Sequence, residues 1–208
     1  MISGHEQIYE SLIPRLSTCD FSEGAERLGM SLHPNGTLSV GFLGREYEIS
    51  ARGVNSMDGK PVHVNNRSVL AYYALSRGAG EPACSYVPIF HLAGTIIFGT
   101  NIKWMTDPLG KAFSEDYAAF GQTMRRLGAV FDGKLKSGGY SWILKALPKI
   151  ILQVIYYDQD DEFPCEVQIL FDANASRFME FECLAFLEGC LVRAMIMTAQ
   201  TGDATGWV

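Results

Sequence analysis

The stretch KIILQVIYYDQDDEFPCEVQILFD, Lys149 to Asp172, decides the fold. Two apolar runs, Ile150–Tyr157 and Val167–Phe171, enclose an insert with four acids, Asp158, Asp160, Asp161 and Glu162. Runs of this length bounded by turn residues suit strands, and so short a connection requires an antiparallel pair. Every position of the first run but Gln153 is apolar, which predicts a strand covered on both faces. In the second, Val167, Ile169 and Phe171 alternate with Glu166, Gln168 and Leu170, so one face is drier. If Gln153 shares a face with Gln168, paired residue numbers sum to an odd total, because a one-residue slip turns a strand over. The prediction is a buried β-hairpin with an acidic tip.

Downstream, Glu180 to about Gln200 reads as the longest helix. Leu184, Leu187, Leu191, Ala194, Met195 and Thr198 fall on one broad face, with Glu182, Gly189, Arg193 and Gln200 opposite. Phe186, Ile196 and Met197 intrude on the polar stripe, so this helix is either a core element or a subunit contact. Upstream, Asp107-Pro108 reads as a helix start, and Ser114 as the cap of a helix Glu115–Leu127 stopped by Gly128. Asp132-Gly133 and Gly138-Gly139 read as turns, and Tyr140–Leu147 as a strand ended by Pro148.

The N-terminal part predicts a helix Ser3–Ser17, kinked or ended by Pro14, and a second helix capped by Asp20 or Ser22 and stopped by Gly29. Met30–His33, Leu38–Leu43 and Tyr47–Ser50 form a three-strand meander, and 51–64 a loop. Asn65 or Asn66 caps a helix through Leu75, ended by Gly78. Tyr86–Ile102 reads as a strand or strand pair with a loop at His91–Gly94. The whole is α+β: a mostly antiparallel sheet with hairpins packed against several helices and a long C-terminal helix. It reads as one domain over 1–208, with lobes 1–80 and 81–208 sharing a core.

Of the 208 residues, 48% are hydrophobic, and 17 basic against 23 acidic residues leave a net charge of −6. A chain of this size needs neither disulfide nor metal to fold. No basic cluster exists beyond Arg125–Arg126, which argues against nucleic acid. Cys19, Cys84, Cys165, Cys183 and Cys190 are scattered without a Cys-x-x-Cys pair, as in reduced thiols of a cytoplasmic protein. No signal-peptide pattern and no membrane-length apolar run is visible, so a cytoplasmic location without membrane partners is expected. There is no Gly-x-Ser-x-Gly, Walker loop or dinucleotide-binding glycine pattern.

Three places could carry chemistry. The acids Asp158, Asp160, Asp161 and Glu162 resemble a hard-cation loop, although the glycine and glutamate positions of an EF-hand are missing. The alternative is a solvated turn that discourages edge-to-edge pairing. Asp172, Asn174 and Ser176 follow a strand and precede a helix, where ligands meet backbone N–H groups and where capping is the other use of such residues. A hairpin separates this base group from the tip by seven or eight residues, about 25 Å, too far for one metal. His91, in an apolar segment, is a third ligand-binding candidate or a buried, satisfied histidine.

Asp160-Asp161-Glu162-Phe163-Pro164, followed by Ile169-Leu170-Phe171-Asp172-Ala173-Asn174-Ala175-Ser176, resembles the signature of a domain family of unknown function from anaerobic bacteria and archaea. Leu28-Gly29, Val69–Leu75 and Phe90-His91-Leu92-Ala93-Gly94 extend the likeness upstream. The resemblance implies a cytoplasmic protein of an anaerobe, some of whose relatives are joined to a four-cysteine iron–sulfur module like that of corrinoid iron–sulfur proteins. The cysteines here lack that module's spacing, and the family supplies no catalytic residues. The expectation is therefore an accessory or binding module, linked to corrinoid or one-carbon metabolism, with an unknown small-molecule or protein partner and an unknown cofactor. It predicts an apolar pocket or patch at 86–98 or on the last helix. The alternatives are a metal-assisted enzyme using the 158–162 turn and a homo-oligomer built through the 180–200 helix.

Overall fold

Ile150–Tyr157 and Glu166–Asp172 form the predicted hairpin at the middle of a five-stranded antiparallel sheet. The computed structural model describes residues 3–93, 103–114 and 116–203. Its helices are α1 (Gly4–Ser17), α2 (Phe21–Leu28), α3 (Val64–Ala74), α4 (Lys103–Ala112), α5 (Tyr117–Arg126) and α6 (Phe181–Thr201). Its strands are β1 (Ser31–Leu32), β2 (Leu38–Phe42), β3 (Arg45–Ser50), β4 (Gly53–Ser56), β5 (Tyr86–Pro88), β6 (Val130–Lys134), β7 (Tyr140–Leu147), β8 (Ile150–Tyr157) and β9 (Glu166–Asp172). The smaller sheet runs β1-β2-β3-β4 and the larger β5-β9-β8-β7-β6, all antiparallel. The fold is α+β, with the long helix last.

In the hairpin, Gln153 pairs with Leu170 and Ile155 with Gln168, so Gln153 and Gln168 share a face and the pairs sum to an odd total. Leu152, Val154, Tyr156, Val167, Ile169 and Phe171 are buried. Coverage of β8 is less even than its composition predicts. Ile151, Gln153 and Tyr157 are only half-buried. There Gln153 Nε2 donates to Ser141 Oγ at 2.9 Å, and Ser141 Oγ donates to Asp132 Oδ2 at 2.9 Å, a polar chain across the partly wet face.

On the inner face α5 lays Phe120 against Trp142 and Tyr156, with ring centroids 6.4 and 4.9 Å apart, and Phe113 meets Phe120 edge-on at 5.4 Å. Rings in tilted or edge contact gain from their quadrupoles beyond the area they bury. α6 packs against α3, α4 and α5. All six residues of its predicted apolar face are buried, and Glu182, Gly189, Arg193 and Gln200 are exposed. Phe186, Ile196 and Met197 are half-buried, so the helix serves the core and leaves no large apolar side chain fully exposed. One buried hydrophobic cluster runs from Tyr9 of α1 through both sheets to Met195.

Several boundaries differ from the sequence expectation. Pro14 sits inside α1 and does not end it, although its missing N–H removes the bond to the Glu10 carbonyl. The meander has a fourth strand, β4, within the segment expected to be loop. Val54 N–H donates to Tyr9 Oη at 2.8 Å, so α1 occupies an amide of this edge strand. α3 is capped by His63, whose Nδ1 accepts from the Asn65 amide at 3.2 Å, and not by Asn65 or Asn66. α4 starts at Lys103 and carries Pro108 inside it. α5 is capped by Asp116, whose Oδ1 accepts from the Ala119 amide at 2.7 Å, in place of Ser114. Asp132-Gly133 is no turn; it lies in β6, where a bulge leaves Asp132 unpaired between the Phe131–Trp142 and Gly133–Ser141 pairs. Tyr86–Pro88 is a strand on β9, followed by a 3-10 turn at Ile89–Leu92; the remainder of that prediction, 94–102, lies outside the described residues. Among the described residues no helix is long and apolar enough to cross a membrane.

Candidate functional site

Asp172, at the end of β9, is fully buried, and its carboxylate is spent on backbone amides. Oδ1 accepts from Ala83 at 2.9 Å and from Asn174 at 2.8 Å, and Oδ2 accepts from Cys84 at 2.6 Å. A carboxylate that collects several N–H donors replaces its lost hydration shell without a counter-ion. Asn174 Nδ2 donates to Glu81 O at 2.9 Å, and Lys149 Nζ meets the Glu81 carboxylate at 2.6 Å. The base of the hairpin thus pins the loop that follows α3.

At its start this loop passes the 3-10 turn at Ala175–Arg177 in direct contact. A Cβ at Gly78 would lie 2.1 Å from Arg177 O, so only glycine permits the approach. Arg27 fixes the same loop by donating to Ser76 O at 3.1 Å and to Gly78 O. The result is a cleft of about 440 Å³ opening to solvent between α1, the end of α3 and the start of α6. Tyr72, Leu75, Phe178 and Met179 supply apolar lining, Ser76 and Ser176 hydroxyls, and Arg15, Arg77 and Arg177 the charge.

The three arginines are exposed, and no carboxylate lies within ion-pair distance of them among the described residues. Glu180 is the one acid among the described lining residues. It stands at the N-cap of α6, but its side chain makes no capping hydrogen bond. Cys183 lines the cleft, 9% exposed, and burial above all, with Glu180 and Glu182 adding, pushes its thiol up to about 11. Burial likewise raises the Tyr72 hydroxyl above its ordinary value. Neither group ionises readily near neutrality, so the cleft offers recognition before it offers a nucleophile or base.

A family model described as Domain of unknown function (DUF3786) matches residues 20–194. The chain belongs to the DUF3786 family. No curated protein and no solved structure matches it. The matched span of this DUF3786 chain includes Arg77, Asp172, Asn174, Ser176 and Arg177, whereas Arg15 precedes it.

The other sequence candidates lie elsewhere in the DUF3786 fold. Asp158, Asp160, Asp161 and Glu162 are exposed at the opposite end of the hairpin. Asp160 Oδ1 accepts from the Glu162 and Phe163 amides at 2.9 and 2.7 Å, and its own N–H donates to Phe163 O, closing the turn locally. Asp158 Oδ1 accepts from the Tyr156 hydroxyl at 3.3 Å. Among the described residues no group of three or more His, Cys, Asp or Glu is arranged to hold a metal ion. His91 is exposed on its 3-10 turn, edge-on to Phe90 at 4.5 Å, and is not part of the cleft. Asp172 and Asn174 brace the loop beside the cleft, and Ser176 lines it.

Sequence reasoning passes over Arg15, Arg77 and Arg177, which are isolated in the chain. The Ser176-Arg177 step directly after the family signature is the one local signal for them. It also passes over Glu188, 3% exposed in the middle of α6. That residue lies four after Leu184 and three before Leu191, a spacing that already places it on the apolar side.

Proposed function

We propose that this chain is a binding or accessory module that holds its ligand in the cleft lined by Arg15, Arg77 and Arg177. One observation carries the reading: the second half of the signature that resembles the family, Ile169 to Ser176, runs into the wall of this cleft, while its acidic first half lies at the far end of the hairpin. Asp172 and Asn174 brace the adjoining loop, and Ser176 with Arg177 forms the cleft wall. A volume of about 440 Å³ falls within the ~300–1,000 Å³ of small-molecule sites, room for a metabolite or for one arm of a larger cofactor. The high thiol and phenol pKa values at Cys183 and Tyr72 favour binding over catalysis. The resemblance to a family of anaerobes, with relatives joined to corrinoid-type iron–sulfur modules, makes cytoplasmic corrinoid or one-carbon metabolism the setting of the reading.

The test is to purify the full chain without added ligand, record its absorption spectrum and native mass, and screen corrinoids, hemes and flavins by thermal shift. The expected result is a co-purified small molecule or a saturable shift, either of which weakens in Arg77→Ala. A ligand whose binding ignores every cleft substitution would remove the cleft from the proposal.

A further inference from the structure

We infer that the cleft selects a small organic anion, a carboxylate or phosphate attached to an apolar body. This inference rests on the cleft being the ligand site and adds what it recognises.

The charge argument comes first. The chain is acidic overall, at −6, with 23 acids against 17 bases, so a lining with three arginines and one acid runs against its average charge. Arg45 and Arg67 pair with carboxylates, Asp58 at 2.6 Å and Glu6 at 3.0 Å. Arg15, Arg77 and Arg177 do not, although they come from three separate elements and border one cavity. Three arginines against the single Glu180 leave the described lining residues net positive. Like charges brought together around a concavity repel one another, and an oxyanion relieves that repulsion. Guanidinium forks match the planar edge of a carboxylate or phosphate.

The surroundings act in the same sense. The first amides of the 21-residue α6 lie beside Cys183 and Glu180, and the Glu180 side chain leaves them uncapped. Free N–H groups and the positive end of a helix dipole favour negative charge there. The Cys183 thiol, nine-tenths buried in the cleft wall, has no hydrogen-bond partner among the described residues and is a weak donor available to the ligand. Tyr72, Leu75, Phe178 and Met179 offer apolar contact that a bare inorganic ion leaves unused.

The experiment is calorimetric titration of the full chain with phenyl phosphate, benzoate, inorganic phosphate and benzyl alcohol. Either aromatic anion should bind at least about tenfold more tightly than benzyl alcohol, and more tightly than inorganic phosphate. Affinity should fall by about tenfold in the double variant Arg77→Ala/Arg177→Ala and with rising salt, as expected for exposed charge pairs. Arg52→Ala, on an exposed turn outside the cleft, should leave it unchanged. Phenyl phosphate and benzoate separate the two oxyanion classes. Equal binding of benzyl alcohol at the cleft would overturn anion selection while leaving a ligand site. Anion binding that survives the double variant, or none at millimolar concentration, would overturn the inference too. The cofactor screen then judges the broader reading independently.

Discussion

The Asp172 carboxylate accepts the backbone N–H of Cys84 at 2.6 Å, joining positions 88 residues apart. With the Ala83 amide on its other oxygen, this contact holds the loop after α3 against the end of the hairpin. Asp172→Ala should remove the acceptor shared by three part-buried backbone donors and cost about 2 kcal/mol, read as a lower urea midpoint. Asp172→Asn, which keeps one acceptor oxygen, should fall between. A midpoint unchanged in both variants would mean the loop does not depend on this carboxylate.

Gly78 faces backbone, not a side chain that can swing away. Gly78→Ala puts a methyl 2.1 Å from Arg177 O, so the two segments must separate. The expected loss is about 2 kcal/mol, in the range of overpacking, together with weaker ligand binding as the cleft wall shifts. Gly36→Ala is a useful contrast. A Cβ there meets nothing within 4 Å, so its cost is confined to the φ of 79°.

Glu188 is a buried carboxyl in the middle of α6, with Oε2 lacking a hydrogen-bond partner among the described residues. Burial pushes its pKa from 4.5 to about 7. The folded chain therefore binds more protons than the unfolded chain between those values, and stability declines as pH rises through that window, then levels off above it. The expected decline is about 3 kcal/mol. Glu188→Gln should match the parent near pH 5 and exceed it near pH 8 in denaturant titrations. Parallel pH profiles for the two proteins would contradict this assignment.

Arg45 is buried and donates to both Asp58 oxygens, at 3.1 and 2.6 Å, and to Lys60 O and Pro61 O. The guanidinium holds the Asp58 carboxyl well below the ordinary carboxylate range. A depressed folded pKa stabilises above the unfolded value of 3.8 and is lost as pH falls below it. Thermal melts should show Asp58→Ala less stable than the parent at pH 7, with the gap closing on acidification below pH 4. A gap that stays constant down to pH 2 would mean that the pair's charge is irrelevant.

Elements set by neighbouring residues were legible. An almost unbroken apolar run placed β8, period-two alternation placed β9, Gln153 and Gln168 set their register, and the 3.6-residue spacing placed α6. Asp20 and Gly29 marked the ends of α2, where the Asp20 side chain accepts from the Ser22 amide and Gly29 takes φ 71°. Elements that depend on distant partners were not. β4 borders α1, where Tyr9 takes the Val54 amide, and α3 uses His63 because an imidazole nitrogen can accept an amide as an asparagine oxygen does. The acidic tip was legible as a turn because Asp160 bonds to amides two and three residues on.

By itself the order of amino acids determined the α+β class, the central hairpin and the separation of its tip acids from its base. Those follow from backbone periodicity and turn chemistry, which act over a few residues. Only the tertiary structure showed that the Asp172 carboxylate braces a distant loop, since its Ala83 and Cys84 donors arrive from there. It alone gathered Arg15, Arg77 and Arg177 around one cleft. Charges carried on α1, the loop after α3 and a 3-10 turn have no shared sequence signal, because the packing of those segments is what brings them together.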